Sequence, residues 1–250
     1  MPDRPVGDPA PPAARARKER KDNADMRRRQ LLDAALVSVA KYGLARTTLA
    51  TVAAEAGLSQ GVAVFYFKSK NGLLVAALRA QYELYRKTWQ DALEAAPDDP
   101  LSQIVAMVRA DFSSHLCGED AIAVWFAFWG EAAAQPLFSE ICEEAERSRY
   151  AAMEAACRRL VEAVRGETEG GETEGGETGR GPDPALLAAS LDAMTDGLWL
   201  QLHIYGRHLR REDALEMALN HLGCLMPAVA ERVGAGPRPG PGPDRLRSRP

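Results

Sequence analysis

Two groups of residues in this sequence have types and spacings suited to chemistry. The first lies in GLSQGVAVFYFKSKNGLL, residues 57–74, where Val64 and Phe65 stand among Gln60, Lys68 and Lys70. An amide can hydrogen-bond a base edge, apolar side chains can lie against thymine methyls, and lysines can contact phosphates, so the set suits a DNA groove. The second group is Trp125, Phe128 and Trp129, which recur at i, i+3 and i+4, with Trp199 three residues after Asp196 and Tyr150 elsewhere. Aromatic faces with a nearby carboxylate attract an ammonium group, worth roughly 0.5–2 kcal/mol per ring. The candidate carboxylates are Glu131, Glu143, Asp192 and Asp196. An aromatic stripe at helical spacing is equally what a plain helical core requires, so a cation cage and core packing both stand as readings.

Other chemistries find little support. Cys117, Cys142, Cys157 and Cys224 lie far apart with no C-x-x-C pair, and His115, His203, His208 and His221 share no ligand spacing. No metal and no cofactor is expected, and the thiols read as core residues of a reducing compartment. No nucleophile elbow, phosphate loop or paired acid/base motif appears, so the chain does not read as an enzyme. The first twenty residues carry no apolar run, and the longest such run, AIAVWFAFWG, has about half the roughly 20 residues of a membrane span. The expected location is the cytoplasm, with no membrane partner.

Charge divides the chain. Residues 1–70 hold 13 Lys/Arg against 7 Asp/Glu, and the remainder holds 18 against 28. A basic front on an acidic body suggests that one end meets a polyanion.

The elements that would position these residues are all helical, because no alternating Val/Ile/Thr runs occur. Residues 1–25, rich in Pro, Ala and Arg without periodicity, read as a disordered basic arm. From Met26, Leu31, Leu32, Ala35, Leu36, Val39 and Ala40 form one stripe that Gly43 stops. A short helix capped by Thr47 or Thr48 ends at Gly57, and Ser59 caps a third that runs to about Phe67. Longer helices are expected from Asn71 to about Ala95, Pro100 to about Leu116, 119 to 134, Pro136 to about Val164 and Pro184 to about Gly206. A last one follows from the segment REDALEMALNHLGCLMPAVAERV. The repeat GETEGGETEGGETG reads as a flexible acidic insert over 166–181, and the tail from 233 as Pro/Gly/Arg-rich disorder. The count is about nine helices and no strands.

Residues 48–67 fit a helix-turn-helix. Ala53 is small where two helices cross, Gly57 supplies the turn, and Val52, Leu58, Ala63 and Tyr66 pack inward. Ser59, Gln60, Gly61, Val64 and Phe65 then lie on the outer face of the second helix, where a recognition helix meets the major groove. The competing reading is an ordinary αα-hairpin that buries Val64 and Phe65, in a helical ligand-binding or scaffold protein without DNA binding.

TTLATVAAEAGLSQGVAVFYFKSKNGLL, preceded by a helix ending in YG, closely resembles the DNA-binding domain of TetR-type transcriptional regulators. VWFAFWGEAAAQP and LDAMTDGLWLQ resemble the choline-responsive, BetI-type branch. The resemblance covers most of residues 27–225 and breaks at the GETEG insert. It implies an all-α protein with a DNA-binding domain over 26–72 and a ligand-binding and dimerisation domain over 73–232. It also implies a homodimer through the last two helices, in most relatives a repressor, released from a palindromic DNA operator by a small molecule. Family DNA contacts fall on Thr48, Gln60, Gly61, Phe65, Tyr66 and Lys70, beside Thr47, Ser59, Val64 and Lys68 from the helix reading. Relatives often carry tyrosine or histidine where Val64 and Phe65 stand. The candidate effector residues are Trp125, Phe128, Trp129, Tyr150, Asp196 and Trp199, for an organic cation such as choline.

Overall fold

A computed structural model describes residues 12–169, 182–206 and 208–234. Among the described residues there are ten α-helices, one short 3₁₀ turn and no strand. The chain divides into two compact units, Met1–Ala77 and Leu78–Pro250. The division falls inside a helix, past the point after residue 72 expected from the sequence.

The first unit is built on α1 (Pro12–Arg46), α2 (Leu49–Glu55), α3 (Gln60–Phe67) and the start of α4 (Lys70–Ala95). The sequence reading fails at the amino terminus: residues 12–25 are helical, not a disordered arm, and 1–11 lie outside the described residues. Ala13, Ala14, Arg15, Ala16, Arg17 and Lys18 are all good helix formers, and they continue the frame of a helix already nucleated by packing. Gly43, at φ +74° and ψ 168°, interrupts α1 where the stripe ends. Leu31, Leu32, Ala35 and Val39 are buried against the short helices.

Thr48 is the cap of α2. Its hydroxyl accepts from the Thr51 N–H at 3.1 Å, and the Thr48 N–H donates to Thr51 Oγ1 at 2.8 Å. Replacing Thr48 with alanine should cost about 1 kcal/mol, read as a shift in the denaturant midpoint. Gly57 turns the chain at φ +64°. Ala53 and Ala63 are fully buried at the crossing of α2 and α3, as a close approach requires. Phe67, rather than Tyr66, is the main inward anchor of α3, since Tyr66 is only half-buried.

The second unit contains the rest of α4 and α5 (Pro100–Asp111), α6 (Glu119–Ala132), α7 (Pro136–Glu169), α8 (Pro184–Tyr205), α9 (Arg211–Leu225) and α10 (Ala230–Gly234). Asp99 and Asp183 cap α5 and α8, each with proline at the first helical position. Helix α5 stops at Asp111, earlier than expected, and Pro227 breaks the last expected helix into α9, a 3₁₀ turn and α10. Helix α7 continues to Glu169, so the start of the expected insert is helical and residues 170–181 lie outside the described ones. Of the expected tail, 235–250 also lie outside. Ile104 and Met107 of α5, Phe128 of α6, Met153 and Leu160 of α7 and Leu198 of α8 form the fully buried centre. Among the described residues no helix is long and apolar enough to cross a membrane, and no cluster of His, Cys, Asp and Glu could hold a metal ion.

Candidate DNA interface and effector pocket

Helix α3 presents a face that the fold leaves open. Ser59 stands at its cap position without a side-chain hydrogen bond to the helix, so its hydroxyl remains available. Gln60, Gly61, Val64 and Phe65 are all exposed, Phe65 to 69%. A phenylalanine so open to water costs free energy in the isolated protein unless another surface covers it. Tyr66 is half-buried, with its ring edge-on to Phe65 at 5.2 Å. Lys68 closes the helix at φ +63°, a strained conformation for a side chain with a Cβ, and places its ammonium 5.2 Å from the Phe65 ring centre. The αα-hairpin alternative required Val64 and Phe65 to be buried, and they are not.

Two of the expected contacts have other work. Thr47 is fully buried, its hydroxyl donating to the Gly43 carbonyl at 2.9 Å and lying 3.2 Å from Ser38 Oγ. It locks the end of α1 and cannot reach a ligand outside the fold. Lys70 reaches back to the Ala45 carbonyl at 2.7 Å, which ties the start of α4 to the segment before α2.

In the second unit, α4, α6, α7 and α8 surround a cavity of about 440 Å³. Of the candidate effector residues, Trp125, Trp129, Tyr150, Asp196 and Trp199 line it. Phe128 does not. It is fully buried against Phe138, ring centres 5.3 Å apart, because it points away from the side of α6 that carries Trp125 and Trp129. Trp125 and Trp129 lie 5.8 Å apart, and Trp199 stacks nearly parallel to Trp129 at 6.1 Å.

Sequence reasoning missed Tyr82 and Tyr85 on α4 and Glu146 and Arg149 on α7, all lining the cavity. Tyr82 sits 4.8 Å from Trp125, edge to face, and its oxygen accepts from the Trp129 indole N–H at 3.2 Å. The spacing 82, 85, 89 on α4, and 142, 146, 149, 150 on α7, each marks one helix face and was the available signal.

Of the suggested carboxylates, Glu131 and Glu143 are exposed outside the cavity. Asp192 lines it but is paired with Arg149, which also pairs with the fully buried Asp111. Among the described residues no ion pair holds Glu146 or Asp196. Burial pushes Glu146 up to about 7, and the neighbouring Asp196, Asp111 and Asp192 charges push the same way against Arg149. Desolvation and Asp192 raise Asp196 to about 6. The Asp196 residue surface is nevertheless open to solvent, so water screens it and Glu146 is the stronger of the two. The cavity is therefore an aromatic chamber with two carboxyl groups that no ion pair holds among the described residues, and Arg147 and Arg149 also line it.

Residues 31–77 match the bacterial regulatory proteins of the tetR family, and residues 100–227 match the BetI-type transcriptional repressor C-terminal domain. The chain belongs to the TetR family. It is 33% identical to the HTH-type transcriptional regulator BetI of Klebsiella pneumoniae over 81% of this chain and 95% of that one. In fold it resembles a transcriptional regulator from Pseudomonas aeruginosa, at TM-score 0.66 and 23% identity over 84% of this chain and 94% of the other. It also resembles a regulator from Saccharomonospora viridis, solved in complex with choline, at TM-score 0.63 and 22% identity over 78% and 94%. This TetR-family chain is a DNA-binding repressor of transcription, and its second unit belongs to the BetI type.

Proposed function

We propose that the repressor acts in the cytoplasm as a homodimer, and that a small organic cation in the aromatic cavity releases it from a palindromic operator. The observation that carries this reading is the cavity wall: Tyr82, Tyr85, Trp125, Trp129 and Trp199 around Glu146 and Asp196. Each ring favours an ammonium, and two carboxyls held in no ion pair among the described residues give it a charge to meet. The choline held by the Saccharomonospora viridis regulator is a ligand of that chemistry.

Dimerisation through α8 and α9 has its own support. Leu186, Leu200 and Ile204 recur on one stripe of α8 and are exposed to 67%, 43% and 57%, and Met217 of α9 is exposed to 45%. An apolar stripe of this kind on a soluble helix fits a matching copy. A cation that binds better to one arrangement of the dimer shifts the population toward it, and only that differential affinity can release DNA.

Choline added to the purified protein should raise its melting temperature and release it from a duplex carrying its operator. Trp129→Ala should stay folded and bind DNA yet lose this response. If choline, betaine aldehyde and polyamines all leave both the melt and the DNA complex unchanged, the cation reading fails.

For the DNA face, α3 would enter the major groove with Ser59, Gln60, Gly61, Val64 and Phe65 toward the bases, and Thr48, Tyr66, Lys68 and Lys70 at its edges. Phe65→Ala should weaken operator binding by about 1–3 kcal/mol without lowering the melting temperature. Wild-type affinity in a gel-shift titration would remove Phe65 from the interface.

A further inference from the structure

Helix α1 runs 35 residues, yet the first fully buried of its described side chains is Leu31. Arg17 lies about 21 Å up the axis from Leu31, at 1.5 Å per residue. Across this stretch the described side chains are exposed, with Ala24 alone half-buried. A helix that packs on nothing has no hydrophobic reason to persist.

Its charges are not scattered. At 3.6 residues per turn, Arg17, Arg20, Lys21, Arg27 and Arg28 fall within about one third of the circumference. Asp22 and Asp25 fall on the other side, together with Lys18 and Arg29. Among the described residues no hydrogen bond or ion pair engages Arg17, Arg20, Lys21 or Arg27. The stripe also continues the face that carries Leu31, Ala35 and Ser38 into the helix-turn-helix. At its lower end Arg28 sits over the ring of Phe67, the last residue of α3, at 5.6 Å. Two residues further, Gln30 donates to the Ala56 carbonyl at 2.7 Å, at the end of α2. The basic face thus leads away from the helix-turn-helix on the side where α3 ends.

We propose that this amino-terminal part of α1 is a second DNA-binding element: a rigid basic helix that lies along the phosphate backbone beside the groove entered by α3. Phosphates are spaced regularly along a duplex, and a rod with cations at i, i+3, i+4, i+10 and i+11 on one face meets them without folding on contact. The element rests on the placement of α3 at the DNA. It extends the contact beyond the base-reading helix and adds affinity that does not depend on sequence.

The full-length protein tests it by comparing two double substitutions of equal charge. Arg17→Gln/Lys21→Gln removes two cations from the stripe, and Lys18→Gln/Arg29→Gln removes two from the opposite face. The stripe variant should bind operator and unrelated duplex more weakly, and its slope of log affinity against log salt should fall by about 1.8 per protomer. The control should keep a slope close to wild type. Ala24→Pro, which keeps every charge but breaks the rod, should weaken binding as the stripe variant does. Equal slopes for the two doubles would overturn the one-sided interface, and wild-type binding by Ala24→Pro would overturn the rigid helix. Phe65→Ala separates the two assignments: if it weakens binding while the stripe variant does not, α3 reads DNA and the stripe does not touch it.

Discussion

Replacing Arg149 with methionine should destabilise the protein by about 3–5 kcal/mol, the largest effect expected of any single substitution here. Arg149 is 3% exposed and bridges Asp111 of α5 and Asp192 of α8 from its own place on α7. Asp111 is fully buried, and its only other side-chain hydrogen-bond partner among the described residues is the Tyr85 hydroxyl, donating at 3.3 Å. Burial already pushes Asp111 up to about 6, with Arg149 pulling the other way. Without the guanidinium, the carboxylate is a bare charge in a low-dielectric site and must take up a proton or unfold the helices around it. The sign with pH follows. A carboxyl raised above its unfolded value stabilises the fold at low pH, and that contribution fades as pH rises through the folded value. The cost of Arg149→Met should therefore be small near pH 5 and full near pH 8. Urea midpoints at the two pH values read it directly. The double substitution Arg149→Met/Asp111→Asn should recover much of the loss, since it removes the orphaned charge along with its partner. A single-variant cost below 1 kcal/mol at pH 8 would show that the network does not hold the three helices together.

The helix-turn-helix was legible almost residue by residue because its constraints are local. Small residues at a crossing, a glycine at positive φ and a threonine cap each act within a few positions of chain, and each left its mark at Ala53, Gly57 and Thr48. Thr47 misled for the same reason. Two adjacent threonines before an apolar run offer the same capping chemistry, and only the tertiary contact with Ser38 decides which is buried. The amino-terminal arm was misread because a segment without an apolar stripe signals disorder by composition, while its alanines and arginines carry good helix propensity. The aromatic cavity was half legible. Trp125, Trp129 and Trp199 announce themselves by type, whereas Phe128 differs from them only in the direction it faces. Tyr82, Tyr85 and Glu146 come from two further helices, and nothing in sequence spacing says that α4 and α7 converge on α6 and α8.

Choline affinity should climb by up to about tenfold per pH unit from pH 5 until it levels above pH 7, roughly a hundredfold in all. The reason lies in which form of the cavity a cation prefers. In the empty protein, burial holds Glu146 up to about 7, and Asp196 stands at about 6 with water at its side. Both are partly or wholly protonated at pH 5, and a neutral carboxyl offers an ammonium little. A bound cation stabilises the ionised forms, so binding must expel protons wherever the empty cavity still holds them. Other groups on the cavity wall do not produce the same profile. Burial raises the Tyr82 and Tyr85 hydroxyls and the Cys142 thiol, keeping them neutral through this range, and Arg149 stays charged. Empty and filled proteins should also diverge in stability. The empty fold loses the contribution of these carboxyls as pH rises from about 4 through 7, and the filled one keeps it. Calorimetric titration at several pH values, in buffers of different ionisation enthalpy, measures the affinity and counts the protons released. Glu146→Gln separates the two carboxyls. It should flatten most of the slope and lower the affinity at pH 8 toward the wild-type value at pH 5, while operator binding without choline is unchanged. An affinity independent of pH in the wild type, with no proton release, would mean that the rings alone hold the cation and that Glu146 serves the fold.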